Sequence, residues 1–330
     1  MKGKVVTAII FTIFFLSAET MISSHGASKH TEIENKMELN SKQTITVDQT
    51  GNGDYTKIQK AIDAAEKNDI ISVKNGYYNE TIKIDKTITL IGENKTNTIV
   101  NPISKKNKYA IRLGAQNIKI QNLGITNRAP GHYTSAVRIS SNNIEIQNCN
   151  IYNTPIGVAT WTPNNRIENC TFWNCKDEAI ALLGSKNNIC SQNIINNCTF
   201  YDNCDAIELQ YSKENIIKNC RIYNNTHTGI NAIASNNDQN LIYNCEIYNN
   251  EVHGIYFFSS SDNKIQNCNI YNNKDGDLIN RENSQNNIVS SKETASFQPS
   301  SKNIELTNML KDKIVDFLSL LQNLFLKKNY

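Results

Sequence analysis

Four acidic residues in the middle of the chain have the types and the spacing of a general acid–base site. Asp177 and Glu178 lie in one repeat, and Asp205 and Glu208 lie at corresponding positions of the next. Carboxylates held roughly 5 to 10 Å apart act as acid and base on glycosidic bonds, and their oxygens are ligands that Ca²⁺ prefers. We therefore predict that these four residues are catalytic and that Ca²⁺ is the one ion they would hold, with no other cofactor and no defined metal site. The alternative is that the four acids are solvated turn residues. We interpret the nearby His227 as a turn residue of this kind.

Polar and aromatic residues at equivalent places in other repeats are candidate substrate-binding groups. Trp161 and Tyr256 offer flat apolar faces on which sugar rings can stack. Arg138, Asn231 and His253 offer charge and hydrogen bonds. Together with the acids, they predict a groove along the outside of the molecule whose partner is a polysaccharide or another glycan.

A repeated Asn-Cys phrase, seen for example in Asn267-Cys268-Asn-Ile-Tyr-Asn, organises the chain around these candidates. The six phrases begin at Asn148, Asn169, Asn197, Asn219, Asn244 and Asn267, so successive repeats are 21 to 28 residues long. A period in this range predicts a solenoid. Each repeat contains three short alternating segments and no room for a helix, so the sequence predicts an all-β parallel β-helix whose coils stack about 4.8 Å apart.

The phrase also predicts what its own residues do. Six cysteines in one register should form an internal stack of small apolar side chains, because a coil spacing of about 4.8 Å exceeds the Cβ separation of about 3.8 Å in a disulfide. Cys175 and Cys204 lie outside this register and are the one pair considered for a disulfide. Each Asn of the phrase is expected to be left-handed and to join a ladder of amides, in which Asn169 and Asn197 would be buried.

The remaining chain divides by composition. Lys2 and Lys4 precede a short apolar run, which is typical of a secretory signal, with an uncleaved anchor as the alternative. Residues 55–67 have the apolar spacing of a helix that would cap the first coil. The predicted segments are a signal peptide (1–27), a flexible linker (28–43), the β-helix (44–290), a second linker (291–303) and an amphipathic helix (304–326).

Charge and composition exclude some classes of partner. Lys and Arg number 34 and Asp and Glu number 31, so the near balance argues against nucleic-acid binding. Hydrophobic residues make up 39% of the chain, which suits the narrow core of a solenoid. We expect a secreted or cell-surface monomer, with association to the cell envelope as a further expectation.

The opening of the β-helix resembles a known family. Residues 46–93 include Gly76-Tyr-Tyr78-Asn-Glu80, which matches the G-x-Y-x-E motif of pectin methylesterases. The resemblance implies a right-handed parallel β-helix of the pectin-lyase-like superfamily. In that family the motif closes the first coils, and the later coils of this chain are similar to generic repeats of the superfamily.

The catalytic segments of pectin methylesterases are not matched. Residues 153–160 contain no acid where the family has one, residues 176–181 keep acids without the motif, and the Leu-Gly-Arg-Pro-Trp segment has no counterpart. Residues 176–181 and 204–209 are instead similar to the Asp-Asp-Cys-Ile-Ala segment of polygalacturonases. The resemblance therefore implies a polysaccharide lyase, glycoside hydrolase or carbohydrate esterase that does not use the pectin methylesterase mechanism. A non-catalytic adhesin or structural glycan-binding protein is the alternative.

Overall fold

The computed structural model of the protein describes residues 42–102, 108–131, 133–233 and 236–290. The predicted signal peptide and C-terminal amphipathic helix lie outside these residues. Within the described ranges, no helix is long and apolar enough to cross a membrane. In chain order the elements are β1 (Thr44–Val47), α1 (Ile58–Ala64), β2 (Ile70–Val73), β3 (Gly76–Tyr78), β4 (Ile82–Ile84), β5 (Thr89–Gly92), β6 (Thr98–Val100), β7 (Tyr109–Leu113), β8 (Lys119–Gln121), β9 (Gly124–Ile125), β10 (Ser135–Ile139), β11 (Glu145–Gln147), β12 (Asn150–Thr154), β13 (Ile156–Thr160), β14 (Arg166–Glu168), β15 (Thr171–Cys175), β16 (Glu178–Leu183), β17 (Cys190–Ser191), β18 (Ile194–Asn196), β19 (Thr199–Tyr201), β20 (Asp205–Gln210), β21 (Ser212–Lys213), β22 (Ile216–Lys218), β23 (Arg221–Tyr223), β24 (Ile230–Ala232), β25 (Leu241–Tyr243), β26 (Glu246–Tyr248), β27 (His253–Phe258), β28 (Lys264–Gln266), β29 (Asn269–Tyr271), β30 (Gly276–Arg281) and β31 (Ile288–Ser290).

These strands form three long parallel sheets, and each coil contributes one strand to each sheet. The first sheet has eleven strands in the order β1-β2-β5-β8-β11-β14-β18-β22-β25-β28-β31. The second runs β3-β6-β9-β12-β15-β19-β23-β26-β29, and the third runs β4-β7-β10-β13-β16-β20-β24-β27-β30. A small fourth sheet pairs β17 with β21 inside the longest repeat. The all-β parallel solenoid predicted from the repeat is confirmed.

The core is a set of stacks in which like residues lie above one another. Ile146 pairs in register with Ile120 and Ile167, and the ring of Phe172 stacks on that of Phe200 at 4.9 Å. Each of these side chains is almost fully buried, which contributes about 1.5–3 kcal/mol per large apolar residue. Burial of the inward alternating residues is what closes each coil.

The cysteine stack is confirmed, whereas the burial of the neighbouring asparagines is not. The cysteines of the phrase are buried, except half-buried Cys268, and all nine cysteines are free, including Cys175 and Cys204. Every Asn of the phrase is left-handed, as at Asn169 with φ 57°. The side chains of Asn169 and Asn197 are nevertheless exposed, and Asn197 Nδ2 donates to Asn169 Oδ1 at 2.7 Å. Their predicted burial is wrong because a residue at the bend points away from the corner that the following Cys fills.

Buried amide ladders exist at two other positions of the coil. In the ladder that precedes the first sheet, Asn193 Nδ2 donates to Asn215 Oδ1 at 3.1 Å, and Asn215 Nδ2 donates to Asn240 Oδ1 at 3.0 Å. The same oxygens accept backbone N–H groups, so each amide satisfies a buried turn of the previous coil. The second ladder, between the second and third sheets, consists of Asn203, Asn225, Asn250 and Asn273.

The family-like motif near the N-terminus is structural. Glu80 accepts the N–H groups of Ile58 (2.9 Å) and Gln59 (3.1 Å), and so caps the N-terminus of α1. Tyr78 is buried and its hydroxyl donates to the carbonyl of Lys74 at 2.8 Å. The helix is shorter than the sequence pattern predicts, yet it buries Ile58, Ala61 and Ile62 against the first coils. The predicted N-terminal cap is therefore present.

Small residues open the strands of the third sheet because coils approach closely there. A Cβ on Gly157 would lie 2.3 Å from the carbonyl oxygen of Ala179, and one on Gly254 would lie 2.5 Å from that of Asp277. Neither glycine has a positive φ. Contact with the next coil therefore explains why these positions hold glycine.

Candidate functional site

The third sheet presents the predicted residues along one outer face. Arg138 lies between Val137 and Ile139, which both face the core, so its side chain points outward. The residues in register with it on successive strands β10, β13, β16, β20, β24 and β27 are Arg138, Ala159, Ala181, Glu208, Asn231 and Tyr256. A second outer position holds Glu178 opposite Asp205. The sheet therefore brings the four acids onto one face of two successive coils, those of β16 and β20.

Glu178 and Glu208 form a buried carboxyl pair at the wall of a cleft. Only 8% of Glu178 and 9% of Glu208 is exposed. The cleft has a volume of about 340 Å³, and Asp177 lies on its wall beside the pair. Its other lining residues are Tyr133, Ile156, Leu183 and Gln210. A ligand in this cleft would contact carboxyl groups and the apolar side chains of Ile156 and Leu183.

The carboxyl groups of Glu178 and Glu208 differ in pKa. Burial, followed by the charges of Glu208 and Asp177, raises the pKa of Glu178 to about 10. Burial also raises the pKa of Glu208, to about 7, although the interaction with Glu178 opposes that rise. Within the described residues Glu178 Oε2 has no hydrogen-bond partner. Near neutral pH Glu178 therefore carries a proton, whereas Glu208 is close to its midpoint of titration.

Asp205 has a different environment and accepts three hydrogen bonds. Its donors are Nδ1 of His227 at 2.6 Å, the N–H of Thr228 at 2.7 Å and Nδ2 of Asn231 at 2.8 Å. The Asp205 side chain is 9% exposed, whereas that of His227 is 47% exposed. In this geometry Asp205 orients His227 and Asn231, although the sequence pattern grouped it with the proton-transferring acids. The sequence interpretation of His227 as a solvated turn residue omitted this contact, and its position one coil after Asp205 was the available signal.

Arg138 and Trp161 lie together at one end of the row. The guanidinium carbon of Arg138 lies 5.0 Å from the centre of the Trp161 ring, and Nη2 donates to the carbonyl of Tyr133 at 2.9 Å. Burial lowers the pKa of Arg138. The pair borders an outer apolar cluster that includes Ala159 and Ala181. Three coils separate Arg138 from Glu208, which is about 14 Å at the usual strand spacing.

His253 and Tyr256 form the group at the other end. Their rings stack with centres 5.2 Å apart and planes 7° apart. Burial lowers the pKa of His253, and its Nδ1 is buried without a hydrogen-bond partner among the described residues. Tyr256 is two coils from Glu208, or about 10 Å. The nine predicted residues thus lie in three groups along the solenoid axis instead of converging on one point.

A second, larger cleft of about 680 Å³ lies next to the cleft of the carboxyl pair, and Asp177 lines both. Its lining includes Arg128, Lys176 and Pro155. Its lining contains no pair of acids. The larger volume therefore favours this cleft as a ligand site, whereas the titratable groups favour the smaller cleft. The site is assigned to the carboxyl pair because general acid–base catalysis needs titratable groups at the place where the substrate binds.

The acids do not fit Ca²⁺ well. This ion takes 6–8 oxygen ligands, yet Asp205 already accepts three hydrogen bonds and Glu178 holds a proton. Few carboxylate lone pairs remain free. We derive no catalytic step through Ca²⁺.

Comparison with known proteins identifies the architecture. The family model described as "Right handed beta helix region" matches residues 86–204 and 190–308. No curated protein sequence matches the chain. A rhamnogalacturonan lyase structure is 15% identical over 77% of this chain and 86% of its own, with a TM-score of 0.57. The A-module of the mannuronan C-5 epimerase AlgE4 from Azotobacter vinelandii is 16% identical over 68% of this chain and 71% of its own, with a TM-score of 0.52. A carrot pectin methylesterase is 14% identical over 76% and 84%, with a TM-score of 0.45. At these identities the likeness concerns the fold alone.

Proposed function

This chain belongs to the right-handed β-helix family, and from that premise we propose that it is an enzyme that cleaves a polysaccharide by general acid–base catalysis on the outer face of its third sheet. The observation that carries the proposal is the carboxyl pair of Glu178 and Glu208. Both side chains are buried at a cleft wall, and burial raises the pKa of each. A protonated acid beside a base with a pKa of about 7 is suited to proton transfer in both directions near neutral pH.

Each residue of the site has a role in this proposal. Glu208 acts as the base because its pKa is the lower of the two, and Glu178 acts as the acid. Asp205 positions Asn231, which lies next to Glu208 in register. Arg138 with Trp161, and His253 with Tyr256, hold the substrate chain on either side.

The closeness of the pair favours one reaction class. Glycosidases of the two-carboxylate type need acids about 5–9.5 Å apart, so that a sugar carbon or a water fits between them. Glu178 and Glu208 instead line one small cleft together, and each acts on the other's pKa. Adjacent acid and base groups on one side of a substrate suit elimination, in which the base removes a carbon-bound proton and the acid protonates the departing oxygen. A lyase-type reaction is therefore preferred to hydrolysis.

A second candidate function is glycan binding without catalysis. The stacked pairs Arg138–Trp161 and His253–Tyr256 favour it, because aromatic and cationic groups at the ends of a face can hold sugars without an acid. This candidate covers an adhesin or a structural protein of a cell envelope. The secretory pattern of residues 1–27 supports a secreted or cell-surface location for either function.

The full chain should be incubated with a panel of acidic and neutral polysaccharides, and both unsaturated products and new reducing ends should be measured. The proposal expects unsaturated product from at least one polymer. Glu208→Gln should then lower kcat about 10²–10⁴-fold, the usual contribution of a general base. Glu251→Gln removes an exposed carboxylate from a nearby turn and is the control.

The outcomes separate the candidates. Binding to the panel without turnover would favour the non-catalytic function. Turnover that survives in Glu208→Gln would remove the pair as the site, and reducing ends without unsaturated product would replace elimination by hydrolysis.

A further inference from the structure

A sulfur, an oxygen and a nitrogen donor meet at the edge of the cleft, where the chain enters the third sheet. Cys204, Asp205 and His227 each offer one such atom, and the three atoms all lie within 4.8 Å of one another. The closest pair is Nδ1 of His227 and Oδ1 of Asp205, at 2.6 Å. The carboxyl-pair proposal uses neither Cys204 nor His227.

The backbone of two successive coils holds these side chains in place. The N–H of His227 donates to the carbonyl of Cys204 at 3.1 Å, and the N–H of Asp205 donates to that of Asp177 at 2.9 Å. Cys204 is half-buried and the His227 side chain is 47% exposed. Solvent therefore reaches this cluster, in contrast to the core cysteines.

We propose that Cys204, Asp205 and His227 bind a divalent transition-metal ion of the Zn²⁺ class. Thiolate, imidazole and carboxylate are the ligands of Zn²⁺, whereas Ca²⁺ takes oxygen alone. Three protein ligands leave the fourth tetrahedral position open to water or to a substrate oxygen. This site is distinct from the carboxyl pair, and its existence does not depend on the proposed catalysis.

The required movement is small. Tetrahedral zinc ligands are about 3.3–3.7 Å apart, given bond lengths of about 2.0–2.3 Å. The widest separation in the cluster must therefore shrink by no more than about 1 Å, and the contact between Asp205 and His227 must open by about 1 Å. Binding releases the thiol proton of Cys204 to solvent and requires the tautomer of His227 that keeps its proton on Nε2.

Groups around the cluster favour a cation. Asn231 Nδ2 and the N–H of Thr228 hold the Asp205 carboxylate in place, as outer partners of metal ligands do. The carboxylate of Asp177 is close enough to act on the Cys204 thiol electrostatically, whereas Glu178 is protonated near neutral pH. Among the described residues, neither of these acids pairs with a Lys or an Arg.

Titration of the reduced full-length protein with Co²⁺ tests the proposal independently of activity. Wild type should develop a thiolate-to-cobalt charge-transfer band that saturates at one ion per chain, and Zn²⁺ should displace it. Because all nine cysteines are described and Cys204 is the one beside a His and an Asp, this band reports the proposed site. Cys204→Ala should abolish the band, and His227→Ala should weaken binding more than tenfold. Asn231→Ala should weaken binding about tenfold, as loss of an outer partner does.

Matched controls keep the test specific. Cys268→Ala removes another half-buried cysteine, and His253→Ala removes the histidine of the next coil. Both controls should retain the band, and circular dichroism should show that every variant is folded. The proposal is overturned if wild type shows no charge-transfer band, if folded Cys204→Ala retains it, or if Ca²⁺ displaces Co²⁺ as well as Zn²⁺ does.

Discussion

Nδ1 of His227 lies 2.6 Å from the Asp205 carboxylate and joins two successive coils at the edge of the third sheet. The same carboxylate accepts hydrogen bonds from Thr228 and Asn231, which also belong to the later coil. Asp205 thus organises the boundary between the carboxyl pair and the turn that holds Cys204. Its buried charge stabilises the coil contact because three donors replace the water it has lost.

Asp205→Asn should destabilise the protein by about 1–3 kcal/mol, because the amide places a donor among three donors and leaves one of them unsatisfied. Urea denaturation followed by circular dichroism measures this free energy of unfolding. Asp202→Asn, an exposed turn residue with a φ of 56°, should change it by less than about 0.5 kcal/mol. Equal losses in the two variants would show that the contacts of Asp205 do not stabilise the coil.

Glu178→Gln should become more stable relative to wild type as pH rises. Burial and the charges of Glu208 and Asp177 raise the pKa of folded Glu178 from 4.5 to about 10, so folding favours its protonated form. Its contribution is fully present below about pH 4.5 and is lost as pH rises towards 10. Asp205 adds further negative charge beside Glu208. Gln remains neutral and escapes this loss.

The free energies of unfolding of wild type and Glu178→Gln should therefore diverge by at least about 1 kcal/mol between about pH 5 and pH 9. Their melting temperatures should diverge in the same direction. Glu251→Gln, at an exposed turn, should follow wild type throughout this range. Parallel curves for wild type and Glu178→Gln would mean that Glu178 is ionised in the folded protein at neutral pH.

Asn215→Ala should cost about 2–4 kcal/mol, since its amide oxygen accepts both the backbone N–H and the side chain of Asn193 in a buried turn. The comparison is Asn219→Gly, which removes an exposed ladder amide and suits the left-handed φ of 55°. That variant should cost less than about 1 kcal/mol. Denaturant midpoints of the two variants decide the matter, and a larger loss for Asn219→Gly would contradict the assignment of the buried ladder.

Glu80→Ala should destabilise the first coils by about 1–2 kcal/mol because the N-terminal N–H groups of Ile58 and Gln59 lose their acceptor. Compared with wild type, amide hydrogen exchange in Glu80→Ala should accelerate more in α1 than in the central strands. Glu66→Ala, an exposed acid just after α1, is the control and should leave exchange in α1 unchanged. Unchanged exchange in Glu80→Ala would show that the cap contributes nothing to the stability of the helix.

The repeat pattern alone predicted the solenoid, the order of its three strands and the cysteine stack. These features follow from local properties: alternation places Ile146 and Ile167 inward, and an Asn such as Asn148 adopts a positive φ at little cost. The helix that caps the first coil was also predicted, because its apolar spacing is a local property of residues 55–67.

The position of Glu178 and Glu208 on one cleft, the hydrogen bond between Asp205 and His227 and the positions of the buried Asn ladders were decided only by the tertiary structure. Each depends on how one coil stacks on the next, and the coils are 21 to 28 residues long, so the same offset in sequence does not give the same place in space. Glu178 illustrates the point. The two residues that follow it, Ala179 and Ile180, both join the core, which breaks the alternation and leaves Glu178 on the cleft wall. Burial and neighbouring charge then set its affinity for a proton, and neither is a property of the residue's position in the sequence.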